Sequence, residues 1–373
     1  MNKNRDIECF RAYAVIITFI AHLWVINPSW QAWTTYFWLG GGVDLFFCIS
    51  GFLITTSLLG DIDAHESFRS FALPFWVRRA FRLWPAAIFW ATATLLVSAL
   101  FDVSGTLGSR EDVSFSWLFG TLNVANLYLW WLNDPERVTP LWHYWSLSLE
   151  EQFYILVPLV LFLRPRRSLL VALMVLFAVY QSTAIRPWGS LLWFVRSDAL
   201  LYGVLIAMAW HFHPKTMTRG FAACRKGVWQ SLLLVLLPLP VLLAREALSP
   251  YYMGWVAISS AALVLLVSGN ADLTGGSSWL RRLAIYIGAR SYSIYLVHYP
   301  VLALVREAIL ATSLTDLSRV EDQVIAAMLA AITTIALAEF SYRFIETPLR
   351  VKGRHIAGKM ARPLEKQGLG AVH

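Results

Sequence analysis

The sequence predicts an all-α membrane protein, a bundle of about ten transmembrane helices. Of its 373 residues, 58% are hydrophobic and 14% are charged, whereas soluble domains are about 45–50% apolar and about 25% charged. The apolar residues form runs of about twenty, the length that crosses a bilayer as a helix, and short basic loops separate the runs. A transmembrane β-barrel is excluded, because its strands would appear as alternating segments of about ten residues.

The apolar segments and the basic loops also predict the topology. Spans are expected at residues 8–27, 36–59, 80–101, 142–163, 168–184, 191–211, 228–245, 252–268, 284–310 and 322–344. With the N-terminus in the cytoplasm, only a minority of the 31 Lys and Arg residues fall in the opposite loops, namely Arg110, Arg137, Arg186, Arg196, Arg245, Arg306 and Arg319. Because cytoplasmic loops are enriched in Lys and Arg, both termini are predicted to be cytoplasmic.

One further segment and the tail need separate interpretation. Residues 116–131 are almost long enough to span, but counting them would move the basic RPRR segment outside and reverse the charge bias. We therefore interpret 116–131 as a re-entrant or interfacial helix on the outer face, where Asn123 and Asn126 meet water or protein. The membrane domain is predicted to cover residues 1–345, and residues 346–373 to form a basic, loosely ordered cytoplasmic tail.

Two ionisable side chains interrupt the first apolar segment. Arg11 and His22 are eleven residues apart, which places them on one helix face about 16 Å apart along the axis. Arg11 then lies near the cytoplasmic end of the span and His22 in its outer half. Charged residues in a bilayer are costly and usually face the bundle interior. The alternatives are that Arg11 extends toward the cytoplasm and that His22 hydrogen-bonds a neighbouring helix.

Three carboxylates lie in other predicted spans. Asp44, in GGGVDLFFCISGFLI, is expected at the depth of His22 and needs a partner, for which a histidine is the natural candidate. Glu150 and Glu151, in WHYWSLSLEEQFYILVP, point about 100° apart on one helix, so at least one of them enters a polar interior. A purely structural role is the alternative for each acid. The glycines around Asp44 are more simply explained by close helix packing than by ligand binding.

Several other polar residues are candidates for the same interior. Ser146 lies in the motif that contains Glu150. His298, in SYSIYLVHYP, is either a second catalytic histidine or a packing residue. Arg196 and Asp198, in RSDALLYG, are predicted to form a local ion pair on the outer side.

A group of arginines marks the cytoplasmic end of the third predicted span. Arg78, Arg79 and Arg82 occur in PFWVRRAFRLWP, where Arg79 and Arg82 are neighbours on one helix face. Pro74 suits the start of a helix, and the amides of a helix N-terminus attract anions. These features could hold phosphate groups. The alternative is that the arginines serve only to orient the chain in the membrane.

Taken together, these segments resemble the membrane-bound acyltransferase family 3, whose members acylate carbohydrates and other acceptors. The matching motifs follow in order across residues 5–346: Arg11 with His22, GVDLFFCISGFLI, RRAFR, WSLSLEEQFY, RSDALLYG and SYSIYLVHYP. The resemblance implies a ten-helix bundle that uses cytosolic acyl-CoA and acylates an acceptor hydroxyl, usually beyond the inner membrane. Some relatives carry a fused esterase-like domain after the bundle; without one, the chain is expected to act alone or with a separate partner.

The resemblance also implies roles for individual residues. His22 matches the histidine most strongly implicated in catalysis, and Arg79 and Arg82 match the family's Arg-x-x-Arg motif. Arg11 is expected at the donor end of a polar path through the bundle. We expect neutral His22 to remove the proton of the acceptor hydroxyl as it attacks the thioester carbonyl. Asp44 or Glu150 would orient the imidazole, and an acyl-histidine intermediate is the alternative.

The family resemblance also implies the substrates and the cellular location. The donor is acyl-CoA, with acetyl-CoA as first choice and no metal. The acceptor is a surface polysaccharide or a lipopolysaccharide glycan, reached from a bacterial inner membrane that the chain crosses many times. Polysaccharide biosynthesis or export proteins are possible partners, and nucleic acid is not expected.

Two other functions would also keep polar residues inside a bundle. One is a transporter or flippase for a saccharide or acyl-containing substrate, although no inverted repeats or paired broken helices are visible in the sequence. The other is a non-catalytic scaffold in a polysaccharide export complex. A scaffold would not need His22, Asp44 and Glu150 at similar depth.

Overall fold

The computed structural model describes residues 4–30, 37, 39–134, 137–162, 167–245, 247–276, 278–312 and 319–360. All regular structure in these ranges is helical, so the predicted all-α class is confirmed. The helices are α1 (Arg5–Ala21), α2 (Gly41–Asp61), α3 (Phe68–Phe101), α4 (Arg110–Thr121), α5 (Ala125–Leu132), α6 (Tyr144–Phe162), α7 (Arg167–Thr183), α8 (Leu191–Phe194), α9 (Asp198–Phe212), α10 (Pro214–Ala222), α11 (Lys226–Leu236), α12 (Leu239–Leu242), α13 (Tyr252–Ser268), α14 (Trp279–Ala289), α15 (Ser291–Thr312), α16 (Val320–Phe340) and α17 (Thr347–Met360). A π-helical turn, Ser341–Glu346, joins α16 to α17.

The longest helices identify a multi-pass membrane protein. Within the described ranges, six helical stretches are long and apolar enough to cross a membrane: Arg5–Val25, Gly41–Ala64, Phe68–Phe101, Tyr144–Phe162, Ser291–Thr312 and Val320–Met360. The bent pair of α10 with α11 and α12 would make a seventh span, and α7, α9 and α13 are shorter apolar helices. The total of about ten spans and the cytoplasmic location of both termini stay predictions.

The third helix begins earlier than its apolar pattern indicates. Ser67 caps α3, since the amide of Ser70 donates to its hydroxyl at 3.2 Å, and Phe71 and Phe75 pack in a buried cluster beside α6. Pro74 therefore lies inside α3 rather than at its start. The prediction that a helix N-terminus lies beside the arginines is wrong. A polar cap and two buried aromatic residues let the helix begin before the proline.

The ninth predicted span and the segment 116–131 are both broken. Residues 284–310 divide at Arg290 between α14 and α15. The segment 116–131 divides between α4 and α5, where Asn123 adopts a left-handed backbone with φ of 57°. This break fits a re-entrant or interfacial element better than a continuous span. Asn126 finds the protein partner expected for it, since the Gln152 amide donates to its side-chain oxygen at 2.9 Å.

The predicted loosely ordered tail is wrong for residues 347–360. These residues form α17, which packs along α3, and Gly353 and Ala357 are buried there. A Cβ atom at position 353 would collide with the Phe81 side chain. Two small residues four positions apart let the helices approach closely, which explains why a polar, basic segment is ordered. The rest of the predicted tail, residues 361–373, lies outside the described residues, as do residues 163–166.

Close helix contacts hold the interior around α2. A side chain at Gly51 would collide with the Leu200 carbonyl of α9, and one at Gly42 would collide with Thr18 and the Ala14 carbonyl of α1. The packing role predicted for the glycines around Asp44 is therefore confirmed at these two positions. In this way α2 is fixed against α1 on one side and α9 on another, and it also contacts α6.

Candidate active site

Two of the cavities among the described residues are lined by predicted site residues. The first, here called the arginine cavity, has a volume of about 90 Å³ and is lined by Arg11, Arg79, Arg82, Glu150 and Tyr154 among others. The second, here called the histidine cavity, has a volume of about 990 Å³ and is lined by His22, His143, Arg196 and several tryptophans. Three of the four arginines predicted to bind the donor thus lie in one cavity, and the residue predicted to be the base lies in the other.

The two cavities follow one another along the same helices. On α1, Arg11 lines the arginine cavity, and His22 at the end of the helix lines the histidine cavity. On α2 the order is reversed, with Gly40 at the histidine cavity and Ser50 at the arginine cavity. Helix α6 runs in the same sense as α2. Because a helix rises about 1.5 Å per residue, the cavities form two levels of one interior, with Arg11 and His22 about 16 Å apart along the axis.

The arginine cavity brings together three of the four predicted donor-binding arginines. The Arg79 guanidinium lies 5.7 Å from the Phe75 ring and 5.2 Å from the Tyr154 ring, distances at which cation–π attraction operates. The Nε atom of Arg82 is buried and has no hydrogen-bond partner among the described residues. Arg11 contributes a third guanidinium, which lies 3.4 Å from Glu8.

Arg78 does not join this group. It is partly exposed and pairs with Asp61 at 3.7 Å, and it is not among the residues that line the arginine cavity. Consecutive residues point about 100° apart on a helix, so Arg78 faces away when its neighbour faces inward. Its predicted role in donor binding is therefore not supported by its position.

The two adjacent acids of α6 have separate environments. Glu150 lines the arginine cavity and accepts hydrogen bonds from the hydroxyls of Ser50 and Tyr154. Glu151 is buried and accepts a hydrogen bond from the Trp84 indole at 2.9 Å. The prediction that at least one acid enters a polar interior is confirmed. Glu150 was also expected to orient His22, but its hydrogen-bond partners lie at the other level of the bundle.

His22 is held by another histidine. Its Nδ1 atom lies 3.0 Å from Nε2 of His298, while Nδ1 of His298 lies 2.7 Å from the backbone carbonyl of Tyr295. A carbonyl only accepts, so Nδ1 of His298 carries the proton and its Nε2 is the acceptor when the ring is neutral. His22 then donates through Nδ1, which leaves its Nε2 unprotonated. This arrangement presents a base at the edge of the histidine cavity.

A third histidine, His143, was not predicted. It is buried, lines the histidine cavity, and its ring centroid is 5.3 Å from that of His298. Its Nε2 atom lies 3.2 Å from the Leu296 carbonyl. The sequence did contain a signal, because His143 is an ionisable residue at the start of the apolar segment that also carries Glu150. His143 precedes the first turn of α6, so helical periodicity does not predict the direction in which its side chain points.

Asp44 does not pair with a histidine. Its two carboxylate oxygens accept hydrogen bonds from Nε and Nη2 of Arg196 at 3.1 and 3.2 Å, and both side chains are about 1% exposed. The expectation that Asp44 would orient His22 is corrected by this contact. A guanidinium satisfies both carboxylate oxygens at once, which a single imidazole nitrogen cannot do.

The predicted local pair of Arg196 with Asp198 is also wrong. Asp198 instead accepts two hydrogen bonds from Arg186, at 3.1 and 2.8 Å, and both side chains are fully buried. Residues two positions apart do not face each other near a helix start, so each side chain finds a partner elsewhere. The result is two buried ion pairs, Asp44–Arg196 and Arg186–Asp198. Arg196 and Asp198 are two positions apart in the sequence but belong to different pairs.

Tryptophans form much of the wall of the histidine cavity. The Arg196 guanidinium lies 4.6 Å from the Trp145 ring and 4.5 Å from the Trp193 ring. Trp142 and Trp188 stack with ring centroids 5.9 Å apart and planes inclined by 21°. Aromatic faces in a concave site are suited to ligands with apolar surfaces and polar edges.

Comparison with known proteins identifies the family. A family model described as an acyltransferase domain, of acyltransferase family 3, matches residues 4–341. The chain belongs to this family. The resemblance predicted from the six motifs is therefore confirmed across nearly the whole chain, and the transporter alternative is not favoured.

Several curated relatives of this acyltransferase family are similar to the chain. YrhL of Bacillus subtilis, provisionally named a peptidoglycan O-acetyltransferase, is 32% identical over 372 residues that cover 93% of this chain and 55% of the relative. The O-acetyltransferase OatA of Staphylococcus aureus is 30% identical, with coverage of 93% and 57%. The peptidoglycan O-acetyltransferase OatA of Listeria monocytogenes is 29% identical, with coverage of 93% and 56%. The chain thus spans little more than half the length of these relatives. No solved structure gives a significant match.

Proposed function

We propose that this acyltransferase moves an acetyl group from acetyl-CoA to a hydroxyl of a cell-envelope polysaccharide, with peptidoglycan or another surface glycan as the acceptor. The observation that carries the proposal is the pair of cavities stacked along α1, one lined by arginines and the other by His22. The names of the relatives support an O-acetyl product and a polysaccharide acceptor. The protein would lie in the bacterial cytoplasmic membrane with both termini in the cytoplasm.

The donor would enter at the level of the arginine cavity. Guanidinium groups make paired, charge-assisted hydrogen bonds to phosphate oxygens, and Arg79 and Arg82 lie on one face of α3 beside this cavity. The unpartnered Nε of Arg82 is a donor that a bound anion would satisfy. The cavity is small, about 90 Å³, so the thin pantetheine arm of CoA suits it better than the nucleotide does. The phosphates would therefore stay at the cytoplasmic end, and the thioester would extend toward the histidine cavity.

The acceptor hydroxyl would react in the histidine cavity. Nε2 of His22 takes the hydroxyl proton while the hydroxyl oxygen attacks the thioester carbonyl and forms a C–O bond. The tetrahedral intermediate then breaks its C–S bond, and the departing CoA sulfur takes the proton back from His22. The products are the O-acetyl ester and free CoA. His298 keeps His22 in the required tautomer through the Nδ1 contact and stabilises the charged imidazole that forms briefly.

The tryptophans in the wall of the histidine cavity would bind the sugar. The stacked Trp142 and Trp188 and the Trp145 and Trp193 pair around Arg196 offer flat apolar faces to a sugar ring. Polysaccharide biosynthesis or export proteins would supply this acceptor as partners.

The proposal is tested by incubating the purified full chain with radiolabelled acetyl-CoA and de-O-acetylated peptidoglycan fragments. We expect label to appear in alkali-labile esters of the glycan, with one free CoA thiol released per ester. A transporter or a scaffold would leave the thioester intact. Release of no thiol, with the protein folded and the acceptor varied among bacterial glycans, would contradict an acetyl-CoA-dependent activity.

Replacing Arg79 and Arg82 tests the donor end. We expect Arg79→Ala or Arg82→Ala to raise the apparent KM for acetyl-CoA about tenfold or more, because each removes a charge-assisted contact to phosphate, while the KM for the glycan stays nearly unchanged. Lys should restore affinity only in part, since it lacks the planar fork of a guanidinium. Arg78→Ala is the matched control, because it removes a neighbouring arginine that lies outside the cavity. An unchanged KM for acetyl-CoA when Arg79 and Arg82 are both replaced by Ala would assign these two arginines to membrane orientation alone, and an equal rise in Arg78→Ala would show that the effect is not specific to the cavity.

A further inference from the structure

The boundary between the two cavities is formed by very few side chains. Among the described residues, Val43 and Tyr295 are the only ones that line both the arginine cavity and the histidine cavity. A thioester that enters at the arginines and reacts at His22 crosses this boundary. The side chains at these two positions therefore face the acyl group during its passage or at its final position.

Tyr295 lies between the two levels and is held there. Its ring centroid is 6.2 Å from Phe46, which lines the arginine cavity, and 5.5 Å from His143, which lines the histidine cavity. Its hydroxyl is 2.5 Å from Oγ of Ser146 and 3.3 Å from the His143 carbonyl. Ser146 was predicted as a candidate site residue, and its contact is with Tyr295 rather than with His22. The ring is thus fixed by hydrogen bonds to Ser146 of α6 and to His143 just before that helix.

Val43, the other shared residue, follows a part of α2 that has no room to move. A Cβ at Gly42 would collide with α1, and a Cβ at Gly41 would collide with the Pro240 carbonyl. Val43 itself is 7% exposed. Because the backbone immediately before Val43 is in close contact with neighbouring segments, the width of the boundary depends on the Val43 side chain and not on a shift of α2.

We propose that Val43 and Tyr295 form an acyl-size filter that selects donors by the width of the acyl group. This inference rests on the proposed acyl-CoA-dependent function. An unbranched chain is no wider than the pantetheine arm behind it, whereas a branch at the carbon next to the carbonyl adds width at the boundary. The filter accordingly accepts acetyl and tolerates butyryl, and it rejects isobutyryl, which has the same number of carbons as butyryl but a branched shape.

The test compares kcat/KM for acetyl-, butyryl- and isobutyryl-CoA in single-residue variants of the full chain. Val43→Ala removes two methyl groups from the boundary, and we expect it to raise the isobutyryl-to-acetyl ratio about tenfold or more, the size of effect that one or two methyl groups have in an apolar pocket. The butyryl-to-acetyl ratio should change much less. Val43→Ile should shift the isobutyryl ratio in the opposite direction, and Tyr295→Phe, which frees the ring from Ser146, should raise it.

Two control variants separate a filter from a general loss of packing. Val241→Ala makes the same change in a residue that lines only the histidine cavity, and Leu53→Ala alters one that lines only the arginine cavity. We expect both to leave the donor ratios near those of the wild type. Ratios within one preparation are unaffected by partial misfolding, since every donor meets the same active fraction. An unchanged isobutyryl ratio in Val43→Ala, or an equal rise in Val241→Ala, would overturn the filter. Failure of the wild type to cleave acetyl-CoA would instead overturn the proposed function.

Discussion

Replacing His22 with Ala is expected to lower acetyl transfer by at least about 10²-fold, the contribution of a positioned general base. The expectation comes from the tautomer that the His298 contact imposes, which leaves Nε2 of His22 free to accept a proton at the cavity wall. His22→Gln should be equally inactive, because an amide side chain can hydrogen-bond but cannot take the proton. The measurement is turnover of labelled acetyl-CoA with a saturating glycan acceptor.

The controls for this prediction separate chemistry from folding. Both His22 variants should insert into the membrane and retain acetyl-CoA affinity, because the arginine cavity lies at the other level of α1. His298→Ala should cause a smaller loss than His22→Ala, since it removes the orienting acceptor and not the base itself. If His22→Gln kept nearly wild-type turnover, His22 would be a packing residue, and His298 or His143 would become the candidate base.

Asp44→Asn is expected to cause a large loss of stability, although the substitution is conservative. It leaves the Arg196 guanidinium, which is about 1% exposed, without its counter-charge, and breaking a buried ion pair from one side costs about 3–5 kcal/mol. The free energy of unfolding, followed by denaturant titration in a mild detergent, should fall by this amount. Much of the protein should then fail to accumulate in cells.

The matched control is a conservative change in an exposed pair. Asp61→Asn removes the partner of Arg78, in a pair whose side chains are 35% and 55% exposed, and such pairs contribute about 0–1 kcal/mol. The double variant Asp44→Leu with Arg196→Met should regain much of the lost stability, because it leaves no unpaired charge in the interior. Equal stabilities for Asp44→Asn and the wild type would show that the buried pair is not needed for folding. Restored activity in the double variant would assign Asp44 a structural role alone.

The class of fold and the polar residues of the interior could be predicted from sequence because a bilayer imposes simple rules. Apolar runs of span length identify membrane helices, and an ionisable residue inside such a run is costly enough to indicate function. These rules selected His22, Asp44 and Glu150, and the structure places all three in the interior. The same rules carry no information about which polar residue contacts which.

The partners of these residues could not be predicted, because they come from distant parts of the chain. The expected pairs of Asp44 with a histidine and of Arg196 with Asp198 were chosen from depth and from nearness in sequence. In the structure, Asp44 of α2 pairs with Arg196, which lies just before α9. Asp198, the first residue of α9, pairs with Arg186, which lies before α8. The two cavities likewise depend on where α1, α2, α6 and α15 leave space between them, which no single helix pattern specifies. His143 was missed for a related reason, because it lies just outside a helix.

The Asp44–Arg196 pair also has a consequence for biosynthesis. The two residues are 152 positions apart, and at about 5–20 residues per second the ribosome needs roughly 8–30 s to make the chain between them. During that interval α2 has already left the ribosome with a carboxylate whose partner does not yet exist. The early helices are therefore expected to wait near the insertion machinery until Arg196 has been made. A nascent chain stalled between α2 and α9 would expose that waiting state to crosslinking.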